Sequence, residues 1–467
     1  MSGIGLEISK YLEEDSVTGT FKAYGYAGLV GAGPWVLPIL GILLIGFVEV
    51  AWQGSSYLQS FTTSVSWLVG ASLILTGLLQ LAFTRFVTNR LFESNERLIN
   101  PNLLGVMFLT TVASGLIGCV FSLFLFSQPL SNEILMIACF AVLSNVWMVG
   151  LFVSGLKRFK LMLVAFAIGY LTTMIMALSL MSFGLNGLLA GLLIGHAVLL
   201  FLLLALVMPS YPLILQPRFD FLNLRLIFPS LIAIGCLYNI GIWVDKLIFS
   251  LHPATSERVI GPMRESQIYD IPMFLAYLSV VPGIVVFFLR IETDFARAYE
   301  RFFQAVKGNA SLQEIEMLGC RIVESVRDGL RQIIRVQGAT VLVLILLGPS
   351  LIEWLGVSSQ YLPIYYICLL GVGAQVLILA VLNVLVYLDK LDDALKLTAL
   401  MGITNLVFSL VSVRMGPDYY GYGFGLSMTL TAVVGIALLF KELENIEFRT
   451  FMRPRPVRAN ISAWESP

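Results

Sequence analysis

The sequence predicts an all-α polytopic membrane protein: about twelve transmembrane helices in two six-helix lobes, with both termini cytosolic. Roughly a dozen apolar runs of 18 or more residues succeed one another between short polar loops, and only hydrocarbon accommodates that much apolar chain. Composition agrees, since 58% of the 467 residues are hydrophobic and 12% charged, with a mean hydropathy of +0.88. The basic residues also partition sharply. With a cytosolic N-terminus, inner loops and tails hold 25 of the 29 Lys and Arg; Arg258, Arg264 and Arg414 fall outside, and Lys246 lies within a span. That bias sets the orientation, and an even number of spans returns the C-terminus to the cytosol.

Residues 1–24 read as an amphipathic helix on the cytosolic surface. Ile4, Ile8, Tyr11 and Leu12 share one helical face, while Glu7, Glu13, Glu14 and Asp15 argue against a cleaved signal. Spans follow at 25–51, 62–84, 103–126, 132–155, 160–182 and 185–207, forming a first lobe over 25–208. A proline-punctuated cytosolic connector occupies 209–226. Spans at 227–250, 268–290, 336–354, 361–388, 393–413 and 420–440 form a second lobe over 227–441, and 442–467 is a cytosolic tail. Two similar halves around a midplane cleft is a common transporter plan, although any twelve-helix chain divides into sixes. Gly187, Gly191 and Gly195 recur every four residues and predict close helix packing.

The one sizeable extramembrane element is a helical insertion at about 292–335. Phe295, Tyr299, Phe302, Phe303 and Val306 form an apolar stripe, Gly308 and Asn309 break it, and Ser311 with Glu314 makes a capping box for a second helix. Ile315, Ile322, Val326, Leu330 and Ile333 continue an apolar face opposite Arg321, Arg327, Arg331 and Arg335. Such a helix lies on anionic headgroups, docks a cytosolic partner or simply feeds the next span.

Several chemistries are unsupported. The net charge is zero, so no global basic field recruits nucleic acid. No G-x-x-x-x-G-K-[ST] loop is present. The five cysteines, Cys119, Cys139, Cys236, Cys320 and Cys368, form no C-x-x-C pair, and His196 and His252 are too few and too distant for a zinc site. No metal or cofactor is expected.

Polar groups inside spans are the strongest physical lead. Glu49 lies near the outer end of the first span, and Asp245 with Lys246 occupies the outer half of the seventh. These charges either line a passage or snorkel to the interface. Asn145, Asn239, Tyr277, Gln375, Asn383 and Asn405 either hydrate a polar cargo or bond helix to helix. Outer acids (among them Glu133, Glu257, Glu265 and Asp270) outnumber outer bases, which favours a cationic or neutral cargo.

Two long stretches add a resemblance. GIGLEISKYLEEDSVTGTFKAYGYAGLVGAGPWVLPILGILLIG (Gly3 to Gly46) and VDKLIFS (Val244 to Ser250), leading into VIGPMRESQIYDIPMFLAYLSVVPGIVVFFLRIETDFARAYERFFQAV (Val259 to Val306), are similar to the PelG family, inner-membrane transporters of the Pel exopolysaccharide system. The resemblance runs over nearly the whole chain. It implies kinship with the multidrug/oligosaccharidyl-lipid/polysaccharide flippase superfamily and two lobes around a central cavity. It also implies a cargo rich in N-acetylgalactosamine and partly de-N-acetylated. The partners it implies are a cytosolic UDP-sugar-using glycosyltransferase, a cyclic di-GMP-sensing membrane protein and a further membrane subunit. No family motif assigns a catalytic task to an individual residue.

The expectation is therefore a non-enzymatic translocator of exopolysaccharide across the bacterial inner membrane, embedded in membrane lipid. Two other classes fit the sequence less well. A membrane-embedded glycosyltransferase or polymerase needs an acidic pair in a substantial outer loop, and Trp52 to Phe61 contains no acid. A cation-coupled multidrug antiporter needs a deeper carboxylate in the first lobe than Glu49. A scaffold for the synthase is the remaining alternative.

Overall fold

Backbone groups in hydrocarbon find no water, so each apolar run must satisfy its own hydrogen bonds, and the α-helix does so within one segment. The computed structural model describes residues 57–125, 129–156, 158–223, 228–308 and 310–444, with Gly25 and Gly41 besides. Among them, 11 helices are long and apolar enough to cross a membrane. The amphipathic segment 1–24, the span 25–51 apart from those two glycines, and the tail beyond 444 lie outside the described residues.

The first lobe contains α1 (Leu58–Phe92), α2 (Ile99–Leu125), α3 (Leu130–Gly155), α4 (Phe159–Ser179) and α5 (Leu185–Val207). The glycine repeat has the packing role expected of it. Side chains at Gly187, Gly191 and Gly195 would overlap Leu180, Ala177 and Thr173, so α4 and α5 approach to backbone contact. The chain turns into α5 at Gly184, whose φ of +64° favours glycine.

The connector after α5 is stitched to α2. The Asn100 amide donates to the carbonyls of Met208 (2.9 Å), Tyr211 (3.1 Å) and Pro212 (3.1 Å). Asn102 donates to the Asp220 carboxylate at 2.9 Å, and the Arg218 N–H donates to the Pro101 carbonyl at 2.9 Å.

The second lobe opens with α6 (Pro229–Leu251), where Pro229 sits at the first turn and needs no N–H donor. A hairpin absent from the sequence reading follows, β1 (Glu257–Ile260) and β2 (Met263–Glu265), antiparallel with a bulge between Arg258 and Ile260. Next come α7 (Gln267–Leu278), α8 (Val280–Leu289), a π-helical turn (Arg290–Phe295) and α9 (Ala296–Lys307). The remaining helices are α10 (Leu312–Trp354), α11 (Leu362–Tyr387), α12 (Leu391–Met415) and α13 (Tyr422–Glu444). Leu369, Val372 and Ile378 of α11 are fully buried at the lobe centre.

The segment 292–335, expected as an insertion, is continuous with the spans on both sides. The helix runs through the π turn into α9, and α10 starts at Leu312, well before the apolar stretch at 336. Hydropathy marks only the lipid-facing part of such helices; the polar remainder keeps its helical bonds beyond the apolar stretch. Ser311 caps α10 by accepting from the Glu314 N–H at 3.3 Å. Ile322, Val326 and Ile333 are fully buried in the lobe core, whereas Arg321, Arg327, Arg331 and Arg335 are exposed. The apolar face is therefore consumed inside the protein and is not free for headgroups.

The lobes touch along α1 and α6, where a side chain at Gly235 would overlap the Gly77 carbonyl. At the hairpin end, Thr63 Oγ1 donates to the Glu265 carboxylate at 3.2 Å. Trp67 Nε1 donates to the Arg264 carbonyl at 3.0 Å, and Ile260 joins a core cluster with Phe61 and Val65. At the opposite end, where α9 and the start of α10 extend past the apolar stretches as an arm, Arg85 pairs with Asp389 at 3.3 Å.

Candidate functional site

Between the lobes lies a cavity of about 2830 Å³. Its lining on α1 extends from Phe61 to Phe92, a helical rise of about 46 Å, which exceeds the roughly 30 Å of a bilayer's hydrocarbon core. Ordinary small-molecule pockets occupy about 300–1,000 Å³. This one is sized for several linked units of cargo.

The structure separates the sequence candidates into two groups. Asn239, Lys246, Tyr277, Gln375 and Asn383 line the cavity. Asn145, Asp245 and Asn405 are buried and do not reach it. Glu49 lies outside the described residues.

Adjacent positions on α6 point apart, which divides Asp245 from Lys246. Asp245 is wholly enclosed and accepts from the Tyr269 hydroxyl at 2.5 Å and from Asn405 Nδ2 at 3.0 Å. Asn405 also donates to the Gly241 carbonyl at 2.8 Å, so this trio ties α6 to α7 and α12. Asn145 bridges α3 to α2 by accepting from Thr110 at 2.9 Å and donating to Thr111 at 2.8 Å. These are helix-to-helix bonds, one of the two readings that spacing alone left open.

Lys246 turns to the cavity. Its ammonium donates to the Ile242 carbonyl at 2.9 Å and the Tyr277 hydroxyl at 3.4 Å, and lies 3.9 Å from the Asp245 carboxylate. It also sits 4.9 Å from the Tyr277 ring centre and 5.2 Å from that of Trp243, a favourable cation–π setting. The Tyr277 hydroxyl donates in turn to Gln375 Oε1 at 3.0 Å. A relay of donors thus runs from α6 through α7 to α11 along one wall.

The PelG family profile, described as "Putative exopolysaccharide Exporter (EPS-E)", matches residues 1–451. The chain belongs to the PelG family. No curated protein sequence matches it. Among solved structures, an outward-facing multidrug resistance MATE family transporter of the MOP superfamily aligns with TM-score 0.66 and 10% identity, covering 91% of this chain and 97% of the other. A MOP superfamily transporter from Pyrococcus furiosus, with a binding pocket of reverse polarity, aligns with TM-score 0.65, 11% identity and the same 91% and 97% coverage. A MATE protein in a straight conformation gives TM-score 0.63 at 11% identity, again covering 91% and 97%. This PelG-family chain therefore has a MATE-like transporter fold.

Sequence reading did not put several wall residues in the site. Glu292, assigned to the start of the insertion, is a cavity-lining residue in the π-helical turn. It accepts from Asn383 Nδ2 at 2.9 Å and the Tyr387 hydroxyl at 3.4 Å. A carboxylate just past an apolar run was a signal, and π turns mark functional positions often enough to have raised its rank. Glu133, assigned to the outer charge count, also lines the cavity and accepts from the Ser122 hydroxyl. Trp67, Trp147 and Trp243 line the same space; in spans this apolar, their sequence gave them no distinction from core or interfacial tryptophans. His196 is a wall residue with its ring edge-on to Tyr170, and its Nδ1 lies 2.9 Å from the Leu192 carbonyl.

Proposed function

We propose that this PelG-family protein carries an exopolysaccharide across the bacterial inner membrane through the cavity between its lobes. The observation that carries the reading is a cavity longer than a bilayer's hydrocarbon is thick, its largely apolar lining set with amides, hydroxyls and aromatic rings. Asn239, Gln375, Asn383 and Tyr277 can replace the hydration of sugar hydroxyls as the chain enters. The Asn383 Oδ1 atom is buried and accepts no hydrogen bond among the described residues, so a hydroxyl donor would satisfy it. The acids Glu133, Asp270 and Glu292 on the wall suit a cargo with some free amines, consistent with a Pel-like, partly de-N-acetylated N-acetylgalactosamine polymer.

On this reading both termini face the cytosol. A separate UDP-sugar-using glycosyltransferase feeds the arm end, with the exposed arginines Arg321, Arg327, Arg331 and Arg335 as its dock. A cyclic di-GMP-sensing membrane protein and a further membrane subunit complete the assembly. The chain performs no bond chemistry of its own.

The test is reconstitution in sealed liposomes with the synthase and its UDP-sugar. Polymer protected in the far compartment only when this chain is present is the expected result. Active synthesis with no polymer crossing would defeat the proposal. Reversing Arg327 and Arg331 to Glu should release the synthase from the membrane, and unchanged co-purification would remove the docking assignment.

A further inference from the structure

Three tryptophans from both lobes gather on one short stretch of α1. Trp67 belongs to that stretch, Trp147 reaches it from α3 and Trp243 from α6, and all three line the cavity. Two of the indole N–H groups are already committed to protein. Trp67 donates to the Arg264 carbonyl at 3.0 Å, and Trp147 donates to Ser72 Oγ at 2.9 Å. Ser72 is held in turn by donating to the Val69 carbonyl at 2.9 Å. Trp243 packs on the bare backbone of Gly70, where an added Cβ would come within 2.9 Å of the ring, and Lys246 lies over it at 5.2 Å.

Committed N–H groups fix ring orientation and leave what remains in the cavity as carbon surface. An indole face carries negative quadrupolar charge. The C–H groups on the face of a pyranose ring carry the complementary partial positive charge. A stacked contact of that kind has no fixed hydrogen-bond register. It therefore suits a repeating polymer that must be held and still advance, for the same reason that channel sites must bind weakly enough to release. Asn239 and Gln80 line the cavity farther along α1 and offer amides to the hydroxyls of units beyond the stacked ones.

We propose that Trp67 and Trp147, with Trp243 as buttress, form a stacking platform for pyranose rings in the hairpin-side half of the cavity. This rests on the exopolysaccharide reading above and deepens it to a defined subsite. Trp67 and Trp147 are positioned by Arg264 and Ser72; Trp243 is positioned by Gly70.

The experiment uses the full chain in lipid nanodiscs, with a hexamer of N-acetylglucosamine and its fully de-N-acetylated counterpart as probes, and calorimetry as the readout. Trp67→Ala and Trp147→Ala should each weaken binding about tenfold, the loss typical of one aromatic platform. Phenylalanine at either position should retain most of the affinity. Trp354→Ala is the control, because Trp354 lies off the cavity and is 81% exposed. A second measurement needs no variant: saturation transfer from aromatic protons should reach the ring C–H protons of the bound sugar.

Native affinity in both alanine variants, or transfer confined to the N-acetyl methyl groups, would overturn the platform and leave the exopolysaccharide reading standing. Failure of the native protein to bind either hexamer would count against that reading itself.

Discussion

In the first lobe α4 and α5 meet backbone to backbone over Gly187, Gly191 and Gly195. In the second lobe α6, α7 and α12 meet through Asp245, Tyr269 and Asn405, and Ser409 satisfies Asn405 Oδ1 by donating to it at 3.0 Å. Lipid tails are as apolar as leucine, so neither lobe gains much from burying apolar surface against itself. One solution removes side chains so that dispersion acts at short range; the other buries a charge and satisfies it. Close packing tolerates no added volume, whereas a satisfied carboxylate tolerates no lost partner. The two contacts should therefore fail to opposite kinds of substitution.

The largest effect is expected at Asp245. Asp245→Ala leaves the Tyr269 hydroxyl and the Asn405 amide without their acceptor and Lys246 without its neighbouring carboxylate, a loss of about 3 kcal/mol by analogy with broken buried pairs. Thermal unfolding in detergent measures it, and Asp245→Asn, which keeps an acceptor oxygen, should lose less. Because Asp245 does not reach the cavity, the fall in polymer export should follow the fall in folded protein. Normal specific stability with abolished export would return Asp245 to the passage.

The matching change in the first lobe is Gly191→Ala, where the new methyl would collide with the Ala177 backbone. Overpacking of this kind costs about 2 kcal/mol. Alanine at Gly115, which has nothing within 4 Å of a built Cβ, should leave the transition temperature unchanged. Equal transitions for the two variants would show that α4 and α5 are not held at backbone contact.

The same contrast explains what could be read from the chain. Gly187, Gly191 and Gly195 announce their role by spacing because their partner helix is the preceding one and the motif is local. Ser311 is equally legible, since the cap and the Glu314 N–H that donates to it are three residues apart. The Asp245 network is assembled from positions up to 160 residues apart, so its donors were visible only as isolated polar residues with two possible roles. Lys246 and Gln375, picked out by polarity, do line the cavity, but nothing in sequence distinguishes a wall amide such as Asn383 from a bonding amide such as Asn405. Glu292 was missed because hydropathy ends the span before the helix ends. The hairpin escaped notice because Glu257–Glu265 is short and charged, with none of the apolar alternation that marks a strand.

Where the lobes meet, the effects should be smaller in stability and visible in geometry. Arg85 and Asp389 have side chains 38% and 61% exposed, and solvent screening holds such pairs below about 1 kcal/mol. Asp389→Ala should therefore leave the unfolding transition nearly unmoved while broadening the distance distribution between spin labels on α1 and α12 at the arm end. Swapping both charges should narrow it again; failure of the swap to do so would mean that the pair does not tie the lobes.

The hairpin end offers the finest test, because its tie is titratable. Burial raises the Glu265 carboxyl above its ordinary pKa, opposed by its bonds with the Gln59 and Thr63 side chains and reinforced by Glu257 across the strand pair. A hairpin released from α1 would return Glu265 to the ordinary carboxylate range. The docked state then holds its proton more tightly than the released state, so docking is favoured as pH falls into the interval between the two values and loses that contribution as pH rises through the docked value. Labels at Tyr57 on the approach to α1 and at Arg258 on β1, in a cysteine-free background, should report a shorter mean distance at the acid end of that interval. Glu265→Gln keeps an acceptor for Thr63 without a titrating proton and should flatten the response. A slope that survives in Glu265→Gln would assign the pH dependence to another group and leave the Thr63 contact a packing feature.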